Sequence, residues 1–177
     1  MQLENQRVCI LITRNVNTFF NERNMTWQQN YPQQAEKIKH LATASSLTAA
    51  LSDLNATFSV KLLALGETQN SAYFTDFRLS EMLFQREVLL CLDGIPVVHA
   101  QSICAADSAW REILNCGTLP LGKILFSGSL KGLTRSEITF RLPENGVVSR
   151  RSWFEWQGER LYLMEHFLPE ILQFNAA

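Results

Sequence analysis

The chain has 177 residues, of which 46% are hydrophobic and 19% charged, with a formal net charge of -1. This composition excludes a disordered chain, and the length suffices for one globular domain with a sizeable core. The near-neutral charge gives no electrostatic reason to bind nucleic acid or an anionic membrane. Because no stretch approaches the ~20 apolar residues of a membrane span, we expect a cytoplasmic domain without membrane insertion.

The first half of the chain predicts a strand, a helical stretch and a second strand. Residues 8–13 form an apolar run that is typical of a strand. Between residues 33 and 54, leucine and isoleucine recur every three or four positions, which predicts helix. The serines at 45–46 favour a break there, because serine caps a helix better than it fills an interior. Residues 57–65 then predict a strand, and the polar residues 67–76 predict a mobile loop.

The second half of the chain is dominated by hairpins. Strands are predicted at residues 83–92, 95–104, 137–142, 150–156 and 160–169. The pair Asp93-Gly94 favours a type I′ turn, and residues 157–159 supply the other turn. Asp107 can cap a helix, and residues 119–126 predict a short helix or turn. About six strands linked mainly by hairpins predict an antiparallel sheet with helices on one side, an α+β fold.

Two charged residues fall on strand faces that are otherwise apolar. Glu165 shares its face with Leu163 and Phe167, and Arg86 shares its face with Val88. An unpaired buried carboxylate is costly, whereas the arginine fork fits a carboxylate through two hydrogen bonds. The pattern alone favours a structural role, in which Arg86 and Glu165 form a salt bridge or the long arginine side chain reaches the surface. The alternative is a closed pocket for a small organic acid, with Arg86 on its carboxylate and Glu165 at the far end.

Other candidate groups carry weaker signals. The three histidines have no ligand spacing, and the four cysteines contain no C-x-x-C pair, so no metal site is predicted. Widely spaced free cysteines fit a reducing compartment. We interpret Arg150 and Arg151 as a solvated strand edge, with an anion contact as the alternative.

Several short sequence blocks between residues 45 and 169 occur in a characteristic order. The blocks are Ser46 with Thr48, Arg86-Glu87, Leu89-Leu90-Cys91, Asp93-Gly94 with Pro96, Pro120-Leu121-Gly122, Leu125-Phe126, Leu133-Thr134-Arg135, Arg150-Arg151-Ser152, and Gly158, Leu161, Leu163, Glu165 and Phe167-Leu168-Pro169. In these blocks the chain resembles the bacterial chorismate pyruvate-lyase family. Residues 1–40 match the family poorly.

The resemblance implies a single domain over residues 1–177, with about six antiparallel strands and helical flaps over an internal ligand pocket. It implies a carbon-oxygen lyase that splits chorismate into 4-hydroxybenzoate and pyruvate for ubiquinone biosynthesis. The expected enzyme is a cytoplasmic monomer that uses no metal and no cofactor. Arg86 would hold the aromatic carboxylate and Glu165 would lie near the 4-hydroxyl, which makes these two the expected catalytic residues. Leu121 would add a backbone contact, and Leu47 would belong to a flap.

The resemblance leaves several alternatives open. Gln101 stands where the family has an arginine after the hairpin, which would weaken the anchoring of the enolpyruvyl side. Glu165 could transfer a proton or only position the substrate, and an isomer such as isochorismate could be preferred. A non-catalytic domain of the same fold that senses small aromatic acids is the alternative function. A sealed core, with Arg86 paired to Glu165, is a third.

Overall fold

The computed structural model describes residues 26–69, 71–143 and 148–174, and this part of the chain forms a seven-stranded sheet. The strands are β1 (Phe58–Thr68), β2 (Leu83–Leu92), β3 (Ile95–Ala105), β4 (Thr134–Arg135), β5 (Thr139–Arg141), β6 (Ser149–Trp156) and β7 (Glu159–Phe167). Their order is β1-β2-β3-β7-β6-β4, β5 also pairs with β6, and every pairing is antiparallel. The predicted α+β class is confirmed. The count is seven because the short β4 joins the edge of β6.

Short helices connect the strands. They are α1 (Lys39–Ala42), α2 (Leu47–Ser52), α3 (Trp110–Leu114) and α4 (Leu121–Leu125), with 3-10 helices at Gln33–Ile38 and Pro169–Phe174. The Ser46 hydroxyl accepts a hydrogen bond from the Ala49 backbone N–H at 3.3 Å and caps α2, as the serine pair predicts. No helix in the described ranges is long and apolar enough to cross a membrane.

The start of α3 is not capped in the way that the sequence predicts. Asp107 does not cap α3, because the Glu159 carboxylate accepts hydrogen bonds from the Ser108 hydroxyl at 2.7 Å and the Ala109 N–H at 2.9 Å. The predicted strand at residues 8–13 lies outside the described residues.

Two tight turns set the register of the sheet. Asp93 and Gly94 have φ angles of 49° and 80°, and Gln157 and Gly158 have 54° and 78°. Both residues of each turn are therefore left-handed, as type I′ hairpins require. Counted outward from the second turn, the pairing of β6 with β7 places Arg150 directly opposite Glu165.

The two faces of the sheet are covered by different segments. One face packs against α2 and α4, and the other packs against residues 71–82. In this second segment Tyr73 and Phe74 are buried against Ile103 and Met164. Of the loop predicted at residues 67–76, Glu67 and Thr68 belong to β1, and residues 71–76 contribute the rings of Tyr73 and Phe74 to this cover.

Candidate functional site

A buried cavity lies between the sheet and the helices α2 and α4. The empty space there, counted together with the open solvent at its mouth, is ≈ 500 Å³. The sheet contributes apolar side chains from Val60, Val88, Leu90, Ala100, Phe154 and Leu163. The cover contributes Leu47, Thr48, Leu121, Gly122, Leu125 and Phe126. The charged side chains on the wall are Arg86, Arg135, Arg150 and Glu165. All four site residues predicted from the sequence, Arg86, Glu165, Leu121 and Leu47, are brought together on this wall.

Arg86 is a buried guanidinium with no carboxylate partner among the described residues. It lies on β2 and is 2% exposed. Its Nε donates to the Gly117 carbonyl at 3.2 Å, and its Nη2 donates to the Gly117 and Leu119 carbonyls at 2.9 and 3.0 Å. Burial lowers the pKa of Arg86, because the charged form loses hydration. Its Nη1 amino group makes none of these bonds and is available to an anion.

Glu165 is paired with Arg150, and this corrects two expectations. Arg150 Nε lies 2.5 Å from the Glu165 carboxylate, and Arg150 is 1% exposed, so it is not a solvated strand edge. The expected salt bridge between Arg86 and Glu165 is absent from the ion pairs of the described residues. Arg150 Nη1 also donates to the carbonyls of Ala42 and Ala44, at 2.9 and 2.7 Å. One side chain therefore connects the floor of the cavity to the segment that leads into α2.

Arg135, on β4, is a third guanidinium on the cavity wall. Its Nε donates to the Ser152 hydroxyl at 3.0 Å, and its Nη1 donates to the Ser45 carbonyl at 2.6 Å. The guanidinium lies 5.0 Å from the centre of the Phe154 ring. Burial, followed by repulsion from Arg150, lowers the pKa of Arg135 to about 10, although Glu165 acts in the opposite direction. Arg135 therefore stays charged at neutral pH.

The cover of the cavity depends on close contact between α2 and α4. An ideal Cβ added at Gly122 in α4 would lie 2.5 Å from Thr48 Oγ1 and 3.0 Å from Thr48 Cβ in α2. Only a glycine lets the two helices approach this closely. Leu47 and Leu121 are 3% and 7% exposed beneath the contact.

Gln101 lies on the face of the sheet opposite the cavity. It accepts a hydrogen bond from the Ser71 hydroxyl at 2.7 Å and donates to Gln85 at 3.1 Å. The glutamine that stands in place of the expected arginine therefore leaves the charge of the cavity wall unchanged.

The described wall residues have a limited chemical range. They provide three guanidinium groups and one carboxylate, and they include no histidine or cysteine. In the described ranges, no group of three or more His, Cys, Asp or Glu residues could hold a metal ion. The site can bind anions, exclude water and assist one proton movement.

Comparison with known proteins identifies the family. A family model described as chorismate lyase matches residues 21–176. The chain belongs to the chorismate lyase family. A probable chorismate pyruvate-lyase of Aromatoleum aromaticum is 33% identical over 157 residues, which cover 75% of this chain and 84% of the relative. A second, from Shewanella sp. (strain ANA-3), is 32% identical over 154 residues, covering 77% and 81%.

The fold of this chorismate lyase family member also occurs outside the family. The crystal structure of PhnF from Mycobacterium smegmatis matches with a TM-score of 0.50 at 12% identity, over 72% of this chain and 65% of that chain. This is a likeness of fold alone.

The sequence pattern does not assign Arg135 to the site, and it gives Arg150 an anion contact only as the alternative to a solvated strand edge. The signal for Arg150 was present, because a two-residue turn at Gln157 and Gly158 sets it opposite Glu165. Arg135 stands in the Leu133-Thr134-Arg135 block that carries the family resemblance, but a two-residue strand shows no alternation that would place its side chain on the cavity face.

Proposed function

We propose that the protein is a chorismate pyruvate-lyase, which converts chorismate to 4-hydroxybenzoate and pyruvate. The observation that carries the proposal is a buried cavity whose wall holds guanidinium groups without a carboxylate partner among the described residues, in a chain of the chorismate lyase family. Buried cations of this kind are costly unless an anion neutralises them. A small organic acid supplies that anion.

The four predicted site residues have separate roles in this proposal. Arg86 binds the ring carboxylate through its available Nη1, and Glu165 accepts a hydrogen bond from the 4-hydroxyl. Leu121 offers a backbone contact at the start of α4. Leu47 lies on α2 and closes the cavity from above.

The reaction asks little of the protein because aromatisation of the ring drives it. The bond from C3 to the ether oxygen breaks, the hydrogen on C4 leaves, and the ring becomes aromatic with its 4-hydroxyl retained. A proton is gained by the methylene carbon of the departing enolpyruvate, which yields pyruvate. The protein orients the substrate in a water-poor cavity, which is a recognised source of rate enhancement.

We further propose that this reaction supplies the aromatic precursor of ubiquinone, as the sequence resemblance implies. We further propose a cytoplasmic monomer that works without metal or cofactor. Cys91, Cys104 and Cys116 are free thiols, which fits a reducing compartment.

A turnover assay with matched arginine variants tests the function. Wild-type protein mixed with chorismate should form 4-hydroxybenzoate, followed by absorbance, and an equal amount of pyruvate. Arg86→Ala should lose about 2 to 5 kcal/mol of affinity for 4-hydroxybenzoate, because a buried charge-assisted contact disappears. Arg86→Lys should lose less. Arg160→Ala is the control, since Arg160 is exposed on the same sheet and pairs with Glu155.

The outcomes separate the competing functions. Binding of 4-hydroxybenzoate without turnover of chorismate would indicate a sensor of small acids. Neither binding nor turnover would indicate a sealed structural core. An unchanged affinity in Arg86→Ala would remove Arg86 from the site.

A further inference from the structure

The cavity wall carries more positive charge than its own carboxylate balances. Arg86, Arg135 and Arg150 face a single acid, Glu165, and Glu165 is engaged by Arg150. Arg86 and Arg135 make no ion pair within the described residues, and both donate only to uncharged oxygens. Arg86 is buried and Arg135 is half-buried, so two positive charges on the wall lack a counter-charge among the described residues, which matches a ligand with two negative charges.

The two unpaired cations lie on opposite sides of Glu165. The strand order β2-β3-β7-β6-β4 places Arg86 on β2, Glu165 on β7 and Arg135 on β4. The strands β2 and β4 are four spacings apart, ~19 Å in a flat sheet. Two arginine side chains that reach inward from this separation leave room for one small ring between them. A ligand carboxylate on each arginine would keep the middle of the ring near Glu165.

The guanidinium of Arg135 has N–H donors that the hydrogen bonds to Ser152 and Ser45 do not use. A guanidinium has five N–H donors, and Ser152 and Ser45 accept only two of those of Arg135. Stacking on Phe154 fixes the plane of the group without using any donor. The remaining donors belong to a side chain that lines the cavity.

We propose that Arg135 binds the second carboxylate of the substrate, the one on the ether side chain that leaves as pyruvate. This inference rests on the proposed function, since it assigns the acid group that Arg86 leaves unbound. The cavity would then select ring acids with a further carboxylate on a short ether chain at the meta position. Each product would retain one arginine: the aromatic acid keeps Arg86, and pyruvate keeps Arg135.

A purely structural role for Arg135 makes a different prediction. The hydrogen bond to the Ser45 carbonyl fastens the segment before α2, so loss of Arg135 could loosen the cover. A loosened cover would weaken every ligand by a similar factor. A carboxylate contact would weaken only the ligand that carries the second acid.

The experiment compares two stable ligands by calorimetry. One is 4-hydroxybenzoate, and the other is 3-(carboxymethoxy)-4-hydroxybenzoate, which adds a carboxylate on an ether chain and cannot eliminate because its ring is already aromatic. Wild-type protein should bind the second ligand about tenfold or more tightly, as expected for a charge-assisted contact. In Arg135→Gln this preference should vanish, while affinity for 4-hydroxybenzoate changes by less than about threefold. Arg135→Lys should keep part of the preference, and Arg160→Gln should keep all of it.

Each outcome decides for or against the inference. Equal weakening of both ligands in Arg135→Gln would show that Arg135 only fastens the cover. Equal affinity of wild-type protein for the two ligands would overturn the inference even if no variant folds. Turnover of chorismate is scored separately. If the protein prefers the dianionic ligand but does not turn over chorismate, the proposed function is refuted and the binding role of Arg135 is kept. If it turns over chorismate without this preference, the proposed function is kept and the binding role of Arg135 is refuted.

Discussion

Glu165 is a buried carboxylate whose charge is balanced by one neighbour on the adjacent strand. It is 6% exposed, and Arg150, its partner, is 1% exposed. Removal of one member of a buried ion pair leaves the other charge uncompensated, which usually costs more than the pair contributes. Any substitution of Glu165 therefore changes stability as well as chemistry, and the two effects must be measured apart.

We predict that Glu165→Gln lowers the free energy of unfolding by about 3 kcal/mol, because Arg150 loses its counter-charge in the interior. Urea denaturation measures the loss. The double variant Glu165→Gln/Arg150→Gln should recover part of it, since neither charge of the pair is then left without its partner. Turnover of chorismate should stay slow in both proteins, because each lacks the charged acceptor for the 4-hydroxyl. Equal stability of the single and double variants would contradict the coupling, and wild-type turnover in either would exclude Glu165 from the reaction.

The residues of the site differ in how well the sequence predicts them. Arg86 and Glu165 are identified by alternation, because each interrupts an apolar strand face. The partner of Glu165 was misjudged, because a polar pair such as Arg150-Arg151 has one side chain on each face. Arg150 faces the cavity, whereas Arg151 pairs with Asp76 on the other side. Only the exact length of the turn reveals which of the two meets Glu165.

Among the secondary-structure elements, α2 and α4 form the cover of the cavity. They are held together where Gly122 lies against Thr48, with no room for a side chain. Both helices are short, of six and five residues, so packing rather than intrinsic helix stability keeps them in place. Such elements open more easily than the strands beneath them.

We predict that Gly122→Ala opens this cover. The added methyl group would overlap Thr48, so α2 and α4 must separate, although alanine favours the helix itself by about 1 kcal/mol. The dissociation rate of 4-hydroxybenzoate, measured by stopped flow, should rise about tenfold. Lys123→Ala is the control in the same helix, because Lys123 is exposed. Adding Thr48→Ala should restore part of the slow release. An unchanged dissociation rate in Gly122→Ala would mean that ligand leaves by another path.

Elements with strong local turn chemistry were predicted well, and elements fixed by distant contacts were not. The hairpin at Asp93-Gly94 was predicted with nearly correct ends, because the turn residues and both strands agree. The loop predicted at residues 67–76 is a loop from residue 71 onward, but its mean polarity hides the buried rings of Tyr73 and Phe74. No periodicity in the sequence predicts a cover of this kind, because the shape of the cover is set by the sheet on which it packs.

At the scale of the whole molecule, a polar cluster buried on the face of the sheet opposite the cavity links the stability of the fold to pH. His166 accepts or donates one hydrogen bond with Ser149 at 2.8 Å, and it lies across from His99, which pairs with Glu87. Burial, together with the nearby charges of His99 and Arg141, lowers the pKa of His166 from 6.5 to about 4. Between these two values the unfolded chain binds a proton that the folded chain does not. The contribution of His166 to the free energy of unfolding is therefore fully present above pH 6.5, and it declines as the pH falls toward 4.

We predict a loss of about 2 kcal/mol in the free energy of unfolding between pH 7.5 and pH 5.0 from this residue. Urea denaturation at the two pH values measures it. His166→Asn preserves a polar atom near Ser149 without a group that titrates, so it should flatten the dependence. His40→Asn should leave the dependence as in the wild type, because His40 is exposed. The same slope in His166→Asn as in the wild type would assign the effect to another group.

Arg150 has a consequence for how the cavity closes. Its guanidinium binds Glu165 on the floor and the carbonyls of Ala42 and Ala44, just before the cover begins. Because one rigid guanidinium binds both Glu165 and the segment before the cover, a change in the position of either is coupled to a change in the position of the other. Linkage is reciprocal, so a ligand that orders Glu165 steadies the cover, and a displaced cover loosens Glu165 by the same free energy.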